Sequence, residues 1–227
     1  MTEGTLKRPV KVKVCGMCHA ENVAEVSALD PDFIGFIFYS GSKRFVGDRP
    51  DPSLFTIPGA QTAKVGVFVD EELSGVMKKF DRYTLDLVQL HGSESPAYCG
   101  KLVEQGIPVM KVLHPGDGER RTDRERFQHE PEHYAPVVHY LLFDSGGRGT
   151  GGSGEKFTWD LLKEVSIPVP FLLGGGIGPE DAEVVKGVDI LQFFGVDLNS
   201  RFETSPGMKD SLLLKRFMEE IRDLSDI

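Results

Sequence analysis

The stretch Cys15-Gly16-Met17-Cys18-His19 places two thiols and an imidazole side by side near the start of the chain. It fits the C-x-x-C-H pattern of covalent c-type haem attachment, and its first four residues fit a dithiol redox site or half of a zinc site. A third interpretation is that only one of the two cysteines reacts. The sequence holds no second C-x-x-C, so a zinc site with four cysteines lacks ligands. The rest of the chain has to decide among the remaining interpretations.

Composition narrows the choice. The chain has 227 residues, of which 40% are hydrophobic and 27% charged, as in ordinary soluble globular proteins. Its formal net charge of -9 argues against nucleic acid or an anionic membrane as partner, although a small phosphorylated substrate remains compatible. The N-terminus lacks the apolar region of a signal peptide, and no apolar run approaches the ~18 residues of a membrane span. We therefore expect a cytoplasmic protein with reduced thiols, which disfavours the haem interpretation.

Eight short apolar runs alternate with helical patterns along the sequence. The strand candidates are residues 10–15, 33–38, 64–69, 85–90, 108–113, 138–143, 169–174 and 188–194. Continuous apolar runs are typical of parallel strands that are buried on both faces. The series predicts an α/β fold, a (β/α)8 TIM barrel that occupies residues 1–227 as a single catalytic domain. An open doubly wound sheet is the alternative.

Local features of the helical segments lead to three specific expectations. Asp70, which is followed by two glutamates, is expected to be the N-cap of the helix that follows the third strand. Segment 120–136 is polar and contains Pro131, so a broken helix is expected there. Residues 159–165 are expected to form a regular helix.

In a (β/α)8 barrel the reactive groups lie at the carboxyl ends of the strands and on the loops that follow. Cys15 ends the first apolar run, and it is either a reactive thiol or a small buried hydrophobic residue. Asp144 ends the sixth run, where a carboxyl group is costly to ionise and should tend to keep its proton. His91 and His114 follow two other strands as candidate bases or structural side chains.

Two glycine-rich segments follow the later strands. Residues 146–154 contain the G-x-G-x-x-G pattern of dinucleotide-binding loops, but no second strand that ends in an acidic residue follows them. A mobile lid that excludes water is therefore the better interpretation. Residues 174–182 run from a strand end into a helix start, where backbone N–H groups can bind phosphate. The loops after the seventh and eighth strands are the usual phosphate site of such barrels.

Taken in order, several motifs resemble the phosphoribosylanthranilate isomerase family. They are VKVCG, GFIF with SKRFVG, KVGVFV, VQLHG, LLFDS, LLGGGIGPEDA and GVDLNSRFETSPGMKD. The resemblance extends from about Val12 to the last helix. It implies a (β/α)8 barrel that performs the Amadori rearrangement of N-(5'-phosphoribosyl)anthranilate in tryptophan biosynthesis, as a monomer or homodimer, with no metal and no cofactor.

The resemblance also implies roles for individual residues. Cys15 would be the general base and Asp144 the general acid, which requires the thiol pKa to be lowered and the carboxyl pKa raised. Arg44 would bind the anthranilate carboxylate. The implied phosphate-binding residues are Gly175, Gly176, Asn199 and Ser200. Arg201 stands where the family often has glycine.

Two alternatives remain. One is another phosphate-binding barrel enzyme of tryptophan or histidine biosynthesis, although the histidine-pathway isomerase uses paired aspartates and the indole-glycerol-phosphate synthase relies on lysines near strand ends. The other is a non-catalytic phosphate-binding barrel. The family resemblance assigns the chemistry of the C-x-x-C-H stretch to Cys15 alone, and places Cys18 and His19 in the turn that enters the first helix.

Overall fold

The structure, a computed structural model, describes residues 9–115, 121–144 and 159–222. Eight parallel strands close into one barrel in sequence order. They are β1 (Lys11–Cys15), β2 (Phe33–Ile37), β3 (Ala63–Phe68), β4 (Leu87–Leu90), β5 (Val109–Leu113), β6 (Tyr140–Asp144), β7 (Phe171–Gly174) and β8 (Phe193–Leu198). The predicted (β/α)8 barrel is confirmed, and the open sheet is wrong because β1 pairs with both β2 and β8.

Helices and short turns connect the strands on the outside. The helices are α1 (Ala20–Ser27), α2 (Ser53–Thr56), α3 (Leu73–Arg82), α4 (Pro96–Glu104), α5 (Arg121–Tyr134), α6 (Ala182–Lys186) and α7 (Ser211–Arg222). After β8, a short antiparallel hairpin forms from β9 (Glu203–Ser205) and β10 (Met208–Lys209). In the part of the chain described here, no helix is long and apolar enough to cross a membrane.

Each strand is buried on two faces, which explains its continuous apolar sequence. One face packs against the helices, as Val12 and Val14 do in β1. The other face fills the barrel interior, where Cys15 packs in one cluster with side chains such as Val65 and Leu142. Because side chains alternate along a strand, Lys13 shares the interior face of β1 with Cys15.

A buried ion pair fixes the loop that follows β4. Lys111 Nζ donates to Glu94 Oε2 at 2.9 Å and to the carbonyl oxygens of Leu90 and Gly92 at 3.1 and 2.7 Å. Glu94 also accepts hydrogen bonds from the backbone N–H groups of Asp70 and Gly92. The pair thus ties the ends of three neighbouring strands together below the mouth of the barrel.

Glu94→Gln is expected to lower the free energy of unfolding by about 3 kcal/mol, because it leaves the buried Lys111 ammonium without its counter-charge. Urea unfolding measures the change. Glu71→Gln is the matched control, since it removes a Lys79–Glu71 pair of similar length (2.8 Å) that is about a third exposed. The control should change stability by less than about 1 kcal/mol, and equal effects of the two variants would contradict the expectation.

Four local predictions are wrong. The eighth strand, predicted over residues 188–194, lies at Phe193–Leu198. Asp70 does not cap a helix: α3 begins at Leu73, and Asp70 adopts a positive φ of 48° with its Oδ1 accepting from Ser93 N at 2.7 Å. The predicted break in segment 120–136 is absent, because α5 continues through Pro131 to Tyr134. Phe127 and Tyr134 anchor that helix in the core on either side of the proline. The segment at 159–165 forms a 3₁₀ helix (Trp159–Glu164) rather than a regular one.

Candidate active site

The two predicted catalytic side chains lie at the same end of the barrel. Cys15 is the last residue of β1 and is 3% exposed, whereas Asp144 is the last residue of β6 and its side chain is 19% exposed. Gly35 on β2 makes room for the thiol, because a Cβ at this position would lie 2.8 Å from Cys15 Sγ. The strand ends therefore place a thiol and a carboxyl group on the lining of one mouth.

Beneath the thiol, Lys13 and Asp197 form an ion pair inside the barrel. They are partners in the register of β1 and β8, and Lys13 Nζ lies 2.7 Å from Asp197 Oδ1. Burial disfavours the ammonium, but Asp197 and Cys15 together raise the pKa of Lys13. Burial also raises the pKa of the Asp197 carboxyl, which Lys13 opposes. Lys13 thus supplies a fully buried positive charge next to the thiol.

The pKa of Cys15 differs from the sequence-based expectation. Burial raises it above the ordinary value for a thiol, and the nearby charge of Lys13 only partly opposes this. The expected lowering is therefore wrong, because desolvation of the thiolate outweighs the attraction of the ammonium. Cys15 is a neutral thiol at neutral pH, and Lys13 increases its minor thiolate fraction.

Two histidines surround Asp144. His91 Nε2 lies 3.6 Å from Asp144 Oδ2, and His114 Nδ1 lies 3.1 Å from the backbone oxygen of Asp144. Burial, followed by the nearby charge of His114, lowers the pKa of His91, so this ring is neutral at physiological pH. Gln89 Nε2 lies 3.3 Å from His91 Nδ1, a contact whose direction depends on the tautomer of the ring. A neutral imidazole does not favour ionisation of the carboxyl group as an imidazolium would.

Arg44, the predicted carboxylate-binding residue, lies on the loop after β2 and is held by an acidic side chain. Its Nε and Nη2 donate to Glu203 Oε1 and Oε2 at 2.8 and 2.6 Å. Gly16 lies against it: a Cβ at Gly16 would lie 2.5 Å from Arg44 Cδ, and the positive φ of 81° favours glycine there. Arg44 therefore packs directly over the residue that follows Cys15.

The predicted phosphate residues lie on the loops after β7 and β8. Gly175 and Gly176 both have positive φ, 78° and 75°, a left-handed conformation that favours glycine. Ser200 is exposed, and the Asn199 side chain accepts a hydrogen bond through Oδ1 from Lys209 Nζ at 2.7 Å, which uses none of the donors that a phosphate would need.

Arg201 joins these same two loops. It pairs with Glu180 on the loop after β7 at 2.8 Å.

The two thiols of the C-x-x-C-H stretch face different surroundings. Cys15 lies in the barrel interior, whereas Cys18 Sγ lies 3.8 Å from the Gly207 oxygen in the β9–β10 hairpin. Both are free, and His19 directly precedes α1, as expected for the turn into that helix. The predicted lid at 146–154 lies outside the described residues.

Sequence reasoning missed Lys13, Asp197 and Glu203. In the sequence, Lys11 and Lys13 alternate with valines, which is typical of a strand with one solvated face. Lys13 instead shares the interior face with Cys15, and only a polar residue at the matching position of β8 could have indicated this. Glu203 lies within the E-T-S-P-G-M-K-D stretch, whose order supported the resemblance without assigning any of its residues a role.

Comparisons with known proteins agree on one family. The profile of N-(5'-phosphoribosyl)anthranilate (PRA) isomerase matches residues 12–220. The N-(5'-phosphoribosyl)anthranilate isomerase of Parabacteroides distasonis is 42% identical over 211 residues, which cover 92% of each chain.

Two solved structures show the same fold. One is a phosphoribosylanthranilate isomerase in complex with reduced 1-(o-carboxyphenylamino)-1-deoxyribulose 5-phosphate, with a TM-score of 0.74, 28% identity, and 93% and 98% of the two chains covered. The other is a monomeric form generated from the dimeric enzyme of Thermotoga maritima, with a TM-score of 0.71, 28% identity and the same coverage.

Proposed function

Because the chain belongs to the N-(5'-phosphoribosyl)anthranilate isomerase family, we propose that Cys15 is its general base and Asp144 its general acid. The protein isomerises N-(5'-phosphoribosyl)anthranilate, an aminoaldose, to 1-(2-carboxyphenylamino)-1-deoxyribulose 5-phosphate, an aminoketose, in tryptophan biosynthesis. The observation that carries the assignment of roles is the placement of one thiol and one carboxyl group at the same mouth, on the last residues of β1 and β6.

The first step opens the furanose ring. Asp144 gives its proton to the ring oxygen while the bond between that oxygen and C1' breaks, and the electron pair of the anthranilate nitrogen forms a protonated Schiff base with C1'. The neutral His91 beside Asp144 suits this role, because it adds no positive charge that would favour the ionised carboxylate.

The second step moves a proton from C2'. The Cys15 thiolate takes this proton, the electron pair of the C–H bond forms the C1'–C2' double bond, and the Schiff-base nitrogen becomes neutral in an enolamine. The enolamine then tautomerises: its C2' hydroxyl loses a proton, C1' gains one, and the ketone results. The substrate nitrogen accepts the electron pair, and the buried ammonium of Lys13 stabilises the thiolate that starts the step.

Substrate binding uses both sides of the mouth. Arg44 binds the anthranilate carboxylate through a guanidinium edge, and the amides of Gly175 and Gly176 bind the phosphate together with the backbone of Asn199 and Ser200. The chain's formal net charge of -9 does not prevent this, because the contacts are local and directional. A single catalytic domain over residues 1–227, a cytoplasmic location, and a monomer or homodimer remain predictions.

A fluorescence assay tests the proposal on the purified protein. Consumption of phosphoribosylanthranilate is followed as loss of its fluorescence, and the aminoaldose ribonucleotide of histidine biosynthesis is offered in a parallel reaction. Faster turnover of phosphoribosylanthranilate than of the histidine-pathway ribonucleotide supports the proposed site. Turnover of the histidine-pathway compound alone would contradict it.

The state of the Cys15 thiol gives a spectroscopic prediction. Because burial raises its pKa, the thiolate should be a minor species at neutral pH and should grow as the pH rises toward that pKa. The ultraviolet absorbance of the thiolate, taken as the difference between the parent protein and Cys15→Ser, isolates this titration from that of Cys99, whose pKa is raised to about 11.

Lys13→Met should move the midpoint of the same titration to still higher pH, because it removes the ammonium that favours the thiolate. A midpoint below the ordinary thiol value in the parent, or no movement in Lys13→Met, would contradict this description of the site.

A further inference from the structure

The hairpin after β8 places a carboxylate against the residue that binds the substrate's own carboxylate. Glu203 is the first residue of β9, its side chain is 4% exposed, and it contacts Arg44 through both oxygens. None of the roles proposed above uses this side chain. Its position raises the question whether it blocks Arg44 or prepares it for binding.

The geometry of the contact favours preparation. Glu203 engages the Nε–Nη2 edge of the guanidinium, which is the side edge of the fork. Among the residues that the structure describes, none accepts a hydrogen bond from Nη1, so the Nη1–Nη2 end edge remains available to a second carboxylate. Arginine has five N–H donors in a fixed plane, so one carboxylate on the side edge orients the end edge for another.

Glu203 is itself firmly held. Lys209 Nζ donates to its Oε1 at 2.6 Å, and the Gly207 N–H donates to the same oxygen at 3.0 Å. Lys209 also donates to Asn199 Oδ1, which ties the hairpin to the end of β8. A carboxylate fixed by these two donors can in turn fix a long and flexible arginine side chain.

The charges of this cluster also leave Arg44 able to bind an anion. Burial disfavours the negative charge of Glu203, but the hydrogen bonds and positive charges of Arg44 and Lys209 lower its pKa overall. Glu203 is therefore ionised. Two cations and one anion leave one positive charge, which a substrate carboxylate can neutralise. Binding of the substrate carboxylate would thus bring the net charge of the cluster to zero.

We propose that Glu203 is a positioning residue that fixes the guanidinium of Arg44 with its end edge toward the mouth, and so makes the enzyme selective for substrates whose aromatic ring carries a carboxylate. The inference rests on the proposed role of Arg44. It assigns to the hairpin Glu203–Lys209 the function of a rigid support for substrate recognition.

Two ligands test the proposal by calorimetry. The probes are reduced 1-(o-carboxyphenylamino)-1-deoxyribulose 5-phosphate and the same compound with a plain phenyl ring. The parent protein should bind the carboxylated probe about 10- to 100-fold more tightly, the range for a charge-assisted pair. Glu203→Gln should reduce this ratio about tenfold while the phenyl probe keeps its affinity, because an unfixed guanidinium must be ordered on binding.

The ratio is informative even when the variant is less stable, because a smaller folded fraction affects both probes alike. In steady-state assays, Glu203→Gln should raise KM about tenfold with kcat within about twofold of the parent, as expected for lost uniform binding. Burial lowers the pKa of Lys209 and Glu203 opposes this, so loss of the Glu203 charge lowers that pKa further and the variant does not simply gain a second free cation.

Asp32→Asn is the matched control. Asp32 also bridges a lysine and an arginine, with Lys11 at 2.7 Å and Arg222 at 3.0 Å, and also accepts a backbone N–H. It precedes β2 at the opposite end of the barrel, so its loss should reduce stability without changing the ratio of the two affinities.

The outcomes are distinguishable. An unchanged or increased ratio in Glu203→Gln would overturn the proposal, and an increase would show that Glu203 competes with the substrate for Arg44. If the parent itself shows no preference for the carboxylated probe, and Arg44→Ala changes nothing, the proposed role of Arg44 fails and the inference fails with it.

Discussion

Cys15→Ser is expected to lower kcat by about 10³-fold with KM nearly unchanged, because general-base catalysis contributes factors of this size. The serine hydroxyl is almost the same size as the thiol but ionises far less readily, so the C2' proton loses its acceptor. The barrel interior around position 15 keeps its packing, and the binding residues on the loops stay in place. Steady-state loss of substrate fluorescence measures both constants.

Cys99→Ser is the matched control for this change. Cys99 is also a buried free cysteine, but it lies in α4 on the outer side of the barrel. We expect it to keep the kcat of the parent even if its stability falls. A Cys15→Ser protein that turns over at the parent rate would exclude the thiol as the base.

Asp144→Asn is expected to lower kcat by about 10²- to 10³-fold, because an amide cannot give its proton to the ring oxygen as a carboxylic acid can. The change preserves shape, and the side chain is partly exposed, so stability should change little. Thermal unfolding of the variant checks this while the fluorescence assay measures kcat. Activity within a few-fold of the parent would show that another group opens the ring.

The sequence was sufficient to predict the barrel and the strand-end positions of Cys15 and Asp144, the proposed catalytic pair. Eight buried runs in series leave few folds, and a barrel places all their carboxyl ends at one mouth. Cys15 and Asp144 end β1 and β6 as expected, and this agreement depends only on where the apolar runs stop. Arg44 also lies near the thiol, next to Gly16, although its position on a long loop could be inferred only from the resemblance.

The features that were missed depend on contacts between distant parts of the chain. Lys13 meets Asp197 across 184 positions, and Arg44 meets Glu203 across 159. Asp70 is a residue type that often caps helices, but its carboxylate accepts a hydrogen bond from the backbone N–H of Ser93 on the next loop. The raised pKa of Cys15 likewise reflects burial that the sequence does not quantify. Local patterns cannot reveal any of these, because the deciding partner lies elsewhere.

The division of labour between Cys15 and Asp144 is the central claim, and the isotope effect on kcat/KM with substrate deuterated at C2' tests it most directly. In Cys15→Ser, proton removal from C2' should limit the rate, so the full primary isotope effect is expected. In Asp144→Asn, ring opening should limit the rate instead, and the effect should fall toward one. A full isotope effect in Asp144→Asn together with none in Cys15→Ser would contradict the assignment of base and acid.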